Sequence, residues 1–155
     1  MALEFDFIGP GDKPAIVLLS TSEWQETAKG VLFELGYKVH APHTHEEFTS
    51  RFGQLHYHVV IAELLFAASS PAENLSFLAL QRMPMNQRRR ATIFLIGHQF
   101  ETMNAMQAFQ QSVHAVINPH ELHSLGQIVK QVVGDNDLLL GLFRDTQVRI
   151  AQGKL

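Results

Sequence analysis

The residues His58-Val59-Val60-Ile61-Ala62-Glu63 constrain the chain more than any other stretch. Four apolar residues follow one another without alternation, two of them β-branched valines, and the run closes on a carboxylate. A strand of that kind is buried on both faces, which requires a parallel sheet with helices packed above and below it. Glu63 then stands at the C-terminal end of the strand. In an open α/β sheet that edge is where ligands and chemistry collect.

Four further strands are predicted: Ala15 to Ser20, Tyr37 to Ala41, Ala91 to Gly97 and Val113 to Asn118. Helical patterns separate them. Ser22 with Gln25 forms a capping box ahead of Trp24, Ala28, Val31, Leu32 and Leu35, and Gly36 supplies the stop. Thr44 with Glu47 forms a second box before Phe48, Phe52 and Leu55. Ser70-Pro71-Ala72-Glu73 is the clearest start, opening a helix with Leu75, Leu78 and Ala79. Glu101 to Gln111 predicts a helix with Met103, Met106 and Phe109 inward, and Pro119 ends the fifth strand. Leu122, Leu125, Ile128, Val129, Val132 and Val133 then make one long apolar stripe.

Gly134-Asp135-Asn136-Asp137 reads as a stop followed by new caps, with a sixth helix carrying Leu138, Leu139, Leu140, Leu142, Phe143, Val148 and Ile150. Its first turn is apolar on nearly every side. One domain face needs less than that, so part of it is expected to serve a partner or a second subunit. The fold class is therefore α/β: a doubly wound, five-stranded parallel sheet of flavodoxin-like (βα)5 type with an extra C-terminal helix. Residues 1–13 form an arm, 14–133 the domain and 134–155 the extension. In the arm, Leu3, Phe5 and Phe7 alternate with Glu4 and Asp6, a period suited to adding a strand at a sheet edge.

Composition closes off several functions. With 46% hydrophobic and 17% charged residues the chain is an ordinary globular one. Its apolar runs fall short of the roughly 20 residues that cross a bilayer, and no basic segment leads into an apolar one at the N-terminus, which suggests a cytoplasmic location. The absence of cysteine excludes disulfides, thiolate nucleophiles and cysteine zinc sites. A net charge of -3 offers no field for nucleic acid, and Arg88-Arg89-Arg90, with Arg82 nearby, is the only basic run. No dinucleotide fingerprint, Walker loop, His-Glu-x-x-His or Gly-x-Ser-x-Gly occurs.

Five βα units, a carboxylate closing strand three, and the sequence Asn118-Pro119-His120-Glu121-Leu122 after strand five resemble the response-regulator receiver domain over residues 14–133. The resemblance implies a site at which an aspartate accepts a phosphoryl group beside a carboxylate-bound magnesium ion. Here the pattern departs from the family. Its acidic pair after strand one corresponds to Ser20 and Thr21, its phosphoacceptor to Glu63, its hydroxyl residue after strand four to Gly97, and its lysine to Asn118. The switch aromatic on strand five corresponds to Ala115. The extra methylene of Glu63 displaces the carboxylate by roughly 1.5 Å, a shift of the order that costs about a hundredfold in positioned chemistry. Pro119 matches the family's proline, and with it the family's cis bond is implied.

The resemblance thus implies a pseudo-receiver: a degenerate pocket of Ser20, Thr21, Glu63, Gly97, Asn118 and Pro119, with no catalysis, no cofactor and no metal. Its interaction surface is expected at Ala115, Leu139, Leu142 and Phe143. The partner is a protein or output domain of a signalling system, or a second copy docking through the fourth, fifth and C-terminal helices. Neither a membrane nor nucleic acid is expected as a partner. A Glu63 that imitates a permanently phosphorylated state is a variant of this reading.

Two other readings compete. Nine histidines, with His40, His43 and His45 clustered after strand two and His98, His120 and Glu63 expected on the same edge, have the donor types zinc takes. His56 and His58 flank Tyr57 and read as structural. The alternative class is a flavodoxin-like protein or enzyme that binds a nucleotide or flavin, its phosphate cradled by Ser20-Thr21-Ser22-Glu23 at a helix start.

Overall fold

A computed structural model describes residue 9 and residues 11–84, 87 and 90–153. Strands β1 (Lys13–Leu18), β2 (Tyr37–His40), β3 (Val59–Glu63), β4 (Thr92–Ile96) and β5 (Ala115–Ile117) form one sheet in the order β2-β1-β3-β4-β5. Every neighbouring pair is parallel. The helices are α1 (Ser22–Glu34), α2 (His45–Gln54), α3 (Leu75–Gln81), α4 (Ala105–Gln111) and α5 (Leu125–Ala151). The alternating residues 3, 5 and 7 lie outside the described residues.

The central run behaves as its composition requires. All five residues of β3 are buried, and pleating sends them alternately to two cores. Val59 and Ile61 pack with Ala28 and Leu32 of α1 and with Leu125 and Val129 of α5. Val60 and Ala62 pack on the other side with Phe48 of α2, Phe77 and Leu80 of α3, and Ala108 of α4. Each such fully buried aliphatic side chain contributes about 1.5–3 kcal/mol relative to exposure. The chain steps from β1 outward to β2 and then across to β3, so the crevice where strand order reverses opens at the C-terminal ends of β1 and β3. Gly36, at φ 90°, provides the left-handed residue that ends α1.

Several local expectations are corrected. Ser70 does not cap a helix: Pro71–Glu73 is a single 3-10 turn, and Asn74 caps α3 by accepting from the Phe77 N–H at 3.0 Å. The inward residues of α3 are accordingly Ser76, Phe77 and Leu80, while Leu75 and Ala79 are exposed. Helix α4 starts at Ala105 and buries Ala108; Met103, Met106 and Phe109 point outward, at 41%, 65% and 80% exposure. A small residue lies against the sheet there, so the large ones ride on top. The Asn118–Pro119 bond is trans.

Gly134 does not stop the fifth helix. Helix α5 runs unbroken for 27 residues, because Val132 packs into the core just before the glycine and Asn136 just after it donates to the Thr92 hydroxyl at 3.2 Å. The residues read as new caps hold the helix to the sheet. Gly134 is exposed, has a negative φ, and leaves open space where a Cβ would go. Gly134→Ala is therefore expected to stabilise the fold by about 0.5–1 kcal/mol, measured as a higher denaturation midpoint. A glycine ending a helix in the left-handed region would instead lose stability on the same change.

Candidate functional site

Glu63, the last residue of β3, turns its side chain across the crevice toward the loop that joins β1 to α1. Its Oε1 accepts hydrogen bonds from the backbone N–H groups of Ser20 and of Thr21, the latter at 2.8 Å. Its Oε2 accepts from the Thr21 hydroxyl at 3.2 Å. The side chain is 6% exposed, so these donors take the place of water around a carboxylate. They lie just ahead of α1, whose N-terminal end favours negative charge. Ser22 and Gln25 make no capping box: Thr21 is the N-cap, its hydroxyl is turned away to Glu63, and Gln25 Nε2 is buried without a partner among the described residues. A carboxylate from another strand holds the residues that lead into the helix.

A second tier of contacts fixes the loop after β3. Asn74 donates from Nδ2 to the carbonyls of Glu63 at 3.2 Å and Leu64 at 3.0 Å. Ala67 takes a left-handed backbone with φ 48°. Its N–H donates to the Ser20 hydroxyl at 2.8 Å, and its carbonyl lies 3.1 Å from His45 Nε2. The Ser76 N–H donates to His45 Nδ1 at 3.2 Å, so Nε2 carries the imidazole proton and donates to Ala67. A non-glycine residue in that conformation costs on the order of 1–3 kcal/mol and persists where neighbours over-determine it, as Ser20 and His45 do here. Asn74 and Ala67 escaped the sequence reading, and His45 was read there only as a metal donor, because their partners lie between 10 and 47 residues away. Only Asn74, an amide residue just before an apolar helix, carried a local signal.

Across the crevice, Gly97 follows β4. A Cβ there would lie 2.6 Å from Gln99 Oε1 and 2.9 Å from Phe100 Cε2, so the space for a side-chain hydroxyl is already filled by the next residues. Asn118 follows β5 and binds its surroundings through every polar group it has. Its N–H donates to the Thr102 hydroxyl, its Nδ2 to the carbonyls of His98 and Phe100, and its Oδ1 accepts from the His120 N–H. Where the receiver pattern has a lysine directed at phosphate, this amide fastens two loops together, and Pro119 opens the 3-10 turn that follows.

The residues facing the crevice do not suit magnesium. That ion takes oxygen ligands and usually one or two carboxylates, whereas Glu63 is met by N–H and O–H donors. Among the described residues no three of His, Asp and Glu are placed to hold a metal ion. The histidines expected together are dispersed: His40 Nδ1 is buried against the Tyr57 hydroxyl at 2.6 Å, His45 serves Ala67 and Ser76, and His43 is exposed. His98 and His120 do meet, rings 6.0 Å apart, with Trp24 at 5.6 Å from His98. Of the residues expected on the interaction surface, Ala115 is 2% exposed and belongs to the core, while Leu139, Leu142 and Phe143 are 65%, 59% and 43% exposed.

Removing the carboxylate should be felt throughout this network. Glu63→Ala strands two backbone N–H groups and a hydroxyl, and is expected to cost about 1–3 kcal/mol in denaturant unfolding. Glu63→Gln keeps an acceptor for the two N–H groups and should cost less than Glu63→Ala. Equal losses would show that the clasp adds nothing beyond side-chain packing.

Comparison with known proteins agrees with this architecture. No family model and no curated protein matches the chain. Solved structures do: a response regulator from Thermotoga maritima superposes with a TM-score of 0.61 at 12% identity, covering 79% of this chain and 98% of that one. A response regulator receiver protein from Burkholderia phymatum gives 0.59 at 12% identity, over 79% of this chain and 96% of the other. NtrX from Brucella abortus gives 0.67 at 10% identity over 93% of this chain, which spans only 30% of that protein. The chain has the fold of a response-regulator receiver domain, a five-stranded parallel sheet between helices, with a long C-terminal helix added.

Proposed function

We propose that the chain is a phosphorylation-independent receiver-like module that signals through protein contact and catalyses nothing. The observation that carries this reading is the clasp on Glu63. A phosphoacceptor must present a free oxygen to an incoming phosphorus and share a cation with it; Glu63 instead gives its oxygens to Ser20 and Thr21. Gly97 and Asn118 add to it, since the space for one phosphate-reading group is filled and the other is a neutral tether. The same clasp counts against a flavodoxin-like phosphate cradle, because two of the N–H groups in that turn, of Ser20 and Thr21, are already bonded to Glu63.

The contact surface in this reading is apolar and lies on α4 and on the outer half of α5. Leu139, Leu142, Phe143 and Ile150 share one side of the outer half of α5, a stripe about 100° wide, and Met106 and Phe109 stand out from α4. A second copy of the chain is the occupant proposed, docking stripe against stripe, with a signalling protein or output domain as the wider partner.

Two measurements test the reading. Incubation with acetyl phosphate and magnesium, or with beryllofluoride, is expected to leave mass and fluorescence unchanged; a saturable response abolished by Glu63→Gln would defeat the proposal. In light scattering the wild type is expected at twice the chain mass, and a Leu139→Glu, Leu142→Glu variant at the chain mass. A wild type that stays monomeric at high concentration removes the self-docking part.

A further inference from the structure

At the opposite end of the sheet from Glu63, a groove of about 530 Å3 lies between the segments leading into β3 and β4 and the outer half of α5. It falls in the size range of small-molecule sites, about 300–1,000 Å3. His56, His58, Arg90 and Arg144 line it, against the single carboxylate of Asp137, and Leu140 and Phe143 supply an apolar wall. Two guanidiniums against one carboxylate leave one positive charge in excess, and protonation of both imidazoles raises that to three. Neither Arg90 nor Arg144 makes an ion pair with a described residue. Asp137 also lies near Tyr37, whose hydroxyl is pushed upward by burial and then by that carboxylate.

The groove is held in shape by the fold. The His58 N–H donates to the Pro14 carbonyl and its carbonyl accepts from the Thr92 N–H, both at 2.9 Å, so His58 is fixed between β1 and β4. Asn136 ties the facing helix to Thr92 at 3.2 Å. The rings of His56 and His58 stand 5.8 Å apart. Burial, and next the charges of His58 and Arg90, hold His56 below the usual imidazole range. Arg90 closes the run Arg88-Arg89-Arg90, for which the receiver fold has no use.

We propose that this groove binds a phosphate monoester of mononucleotide size, with the phosphate held by Arg90, Arg144 and the two histidines and the ring laid against Leu140 and Phe143. A carboxylate would need one guanidinium. Two guanidiniums with two imidazoles supply enough N–H donors for a dianion with three acceptor oxygens. The site lies apart from the Glu63 network and stands or falls independently of it.

Isothermal titration of the full chain with adenosine 5′-monophosphate, inorganic phosphate and adenosine as separate arms tests it. The monophosphate is expected to bind saturably and more tightly than either fragment. Arg144→Gln and His58→Gln, both at exposed side chains, should each weaken binding roughly tenfold with an unchanged melting temperature. No saturable binding, unchanged affinity in both variants, or inorganic phosphate or adenosine binding as tightly as the monophosphate would each overturn the proposal.

Discussion

A carboxylate at 6% exposure is an expensive group to leave unsolvated, and the fold accommodates Glu63 by surrounding it with donors rather than with a countercharge. Ser20 and Thr21 give it two backbone N–H groups and a hydroxyl, and the first turn of α1 adds its favourable dipole. This one interaction joins the C-terminal ends of β1 and β3 and fixes the loop that leads into α1. It also sets the position of Ser20, to which the strained backbone of Ala67 is hydrogen-bonded.

The polarity of the crevice follows from that choice. A receiver that accepts phosphate assembles acceptors around a cation, so that negative oxygens are neutralised from outside. Here the loop after β1 points donors inward, and the one carboxylate consumes them. Such an arrangement is self-contained. In the proposed reading neither a cation nor a phosphoryl group finds a complementary set of groups, and Phe100 and Gln99 crowd the place above Gly97 where another polar group would stand.

The apolar side chains lie elsewhere. Met106 and Phe109 on α4, and Leu139, Leu142 and Ile150 on α5, present carbon to solvent in places where a small residue or the length of the helix satisfies the local core. Exposed apolar groups at helical spacing mark a contact surface better than scattered ones do. The cationic groove beneath the sheet is a different kind of feature: charged, concave, and braced by strand hydrogen bonds.

The apolar run of β3 and four similar runs at regular spacing were enough to determine a parallel sheet covered on both faces, with Glu63 at its C-terminal edge. That legibility has a physical basis, since two-sided burial leaves no room for polar residues in the strand. Glycine at Gly36 and the cap at Thr44 were local signals of the same sort, each satisfied within a few residues. What Glu63 bonds to, which side of α4 is buried, and whether α5 breaks at Gly134 were settled only by tertiary structure. Each depends on partners distant in sequence: Ser20 and Thr21 lie 43 and 42 residues from Glu63, and Thr92 lies 44 from Asn136. Local propensity favoured Ser22 as a cap and Gly134 as a stop, and it lost to hydrogen bonds and packing that exist only once the sheet has formed.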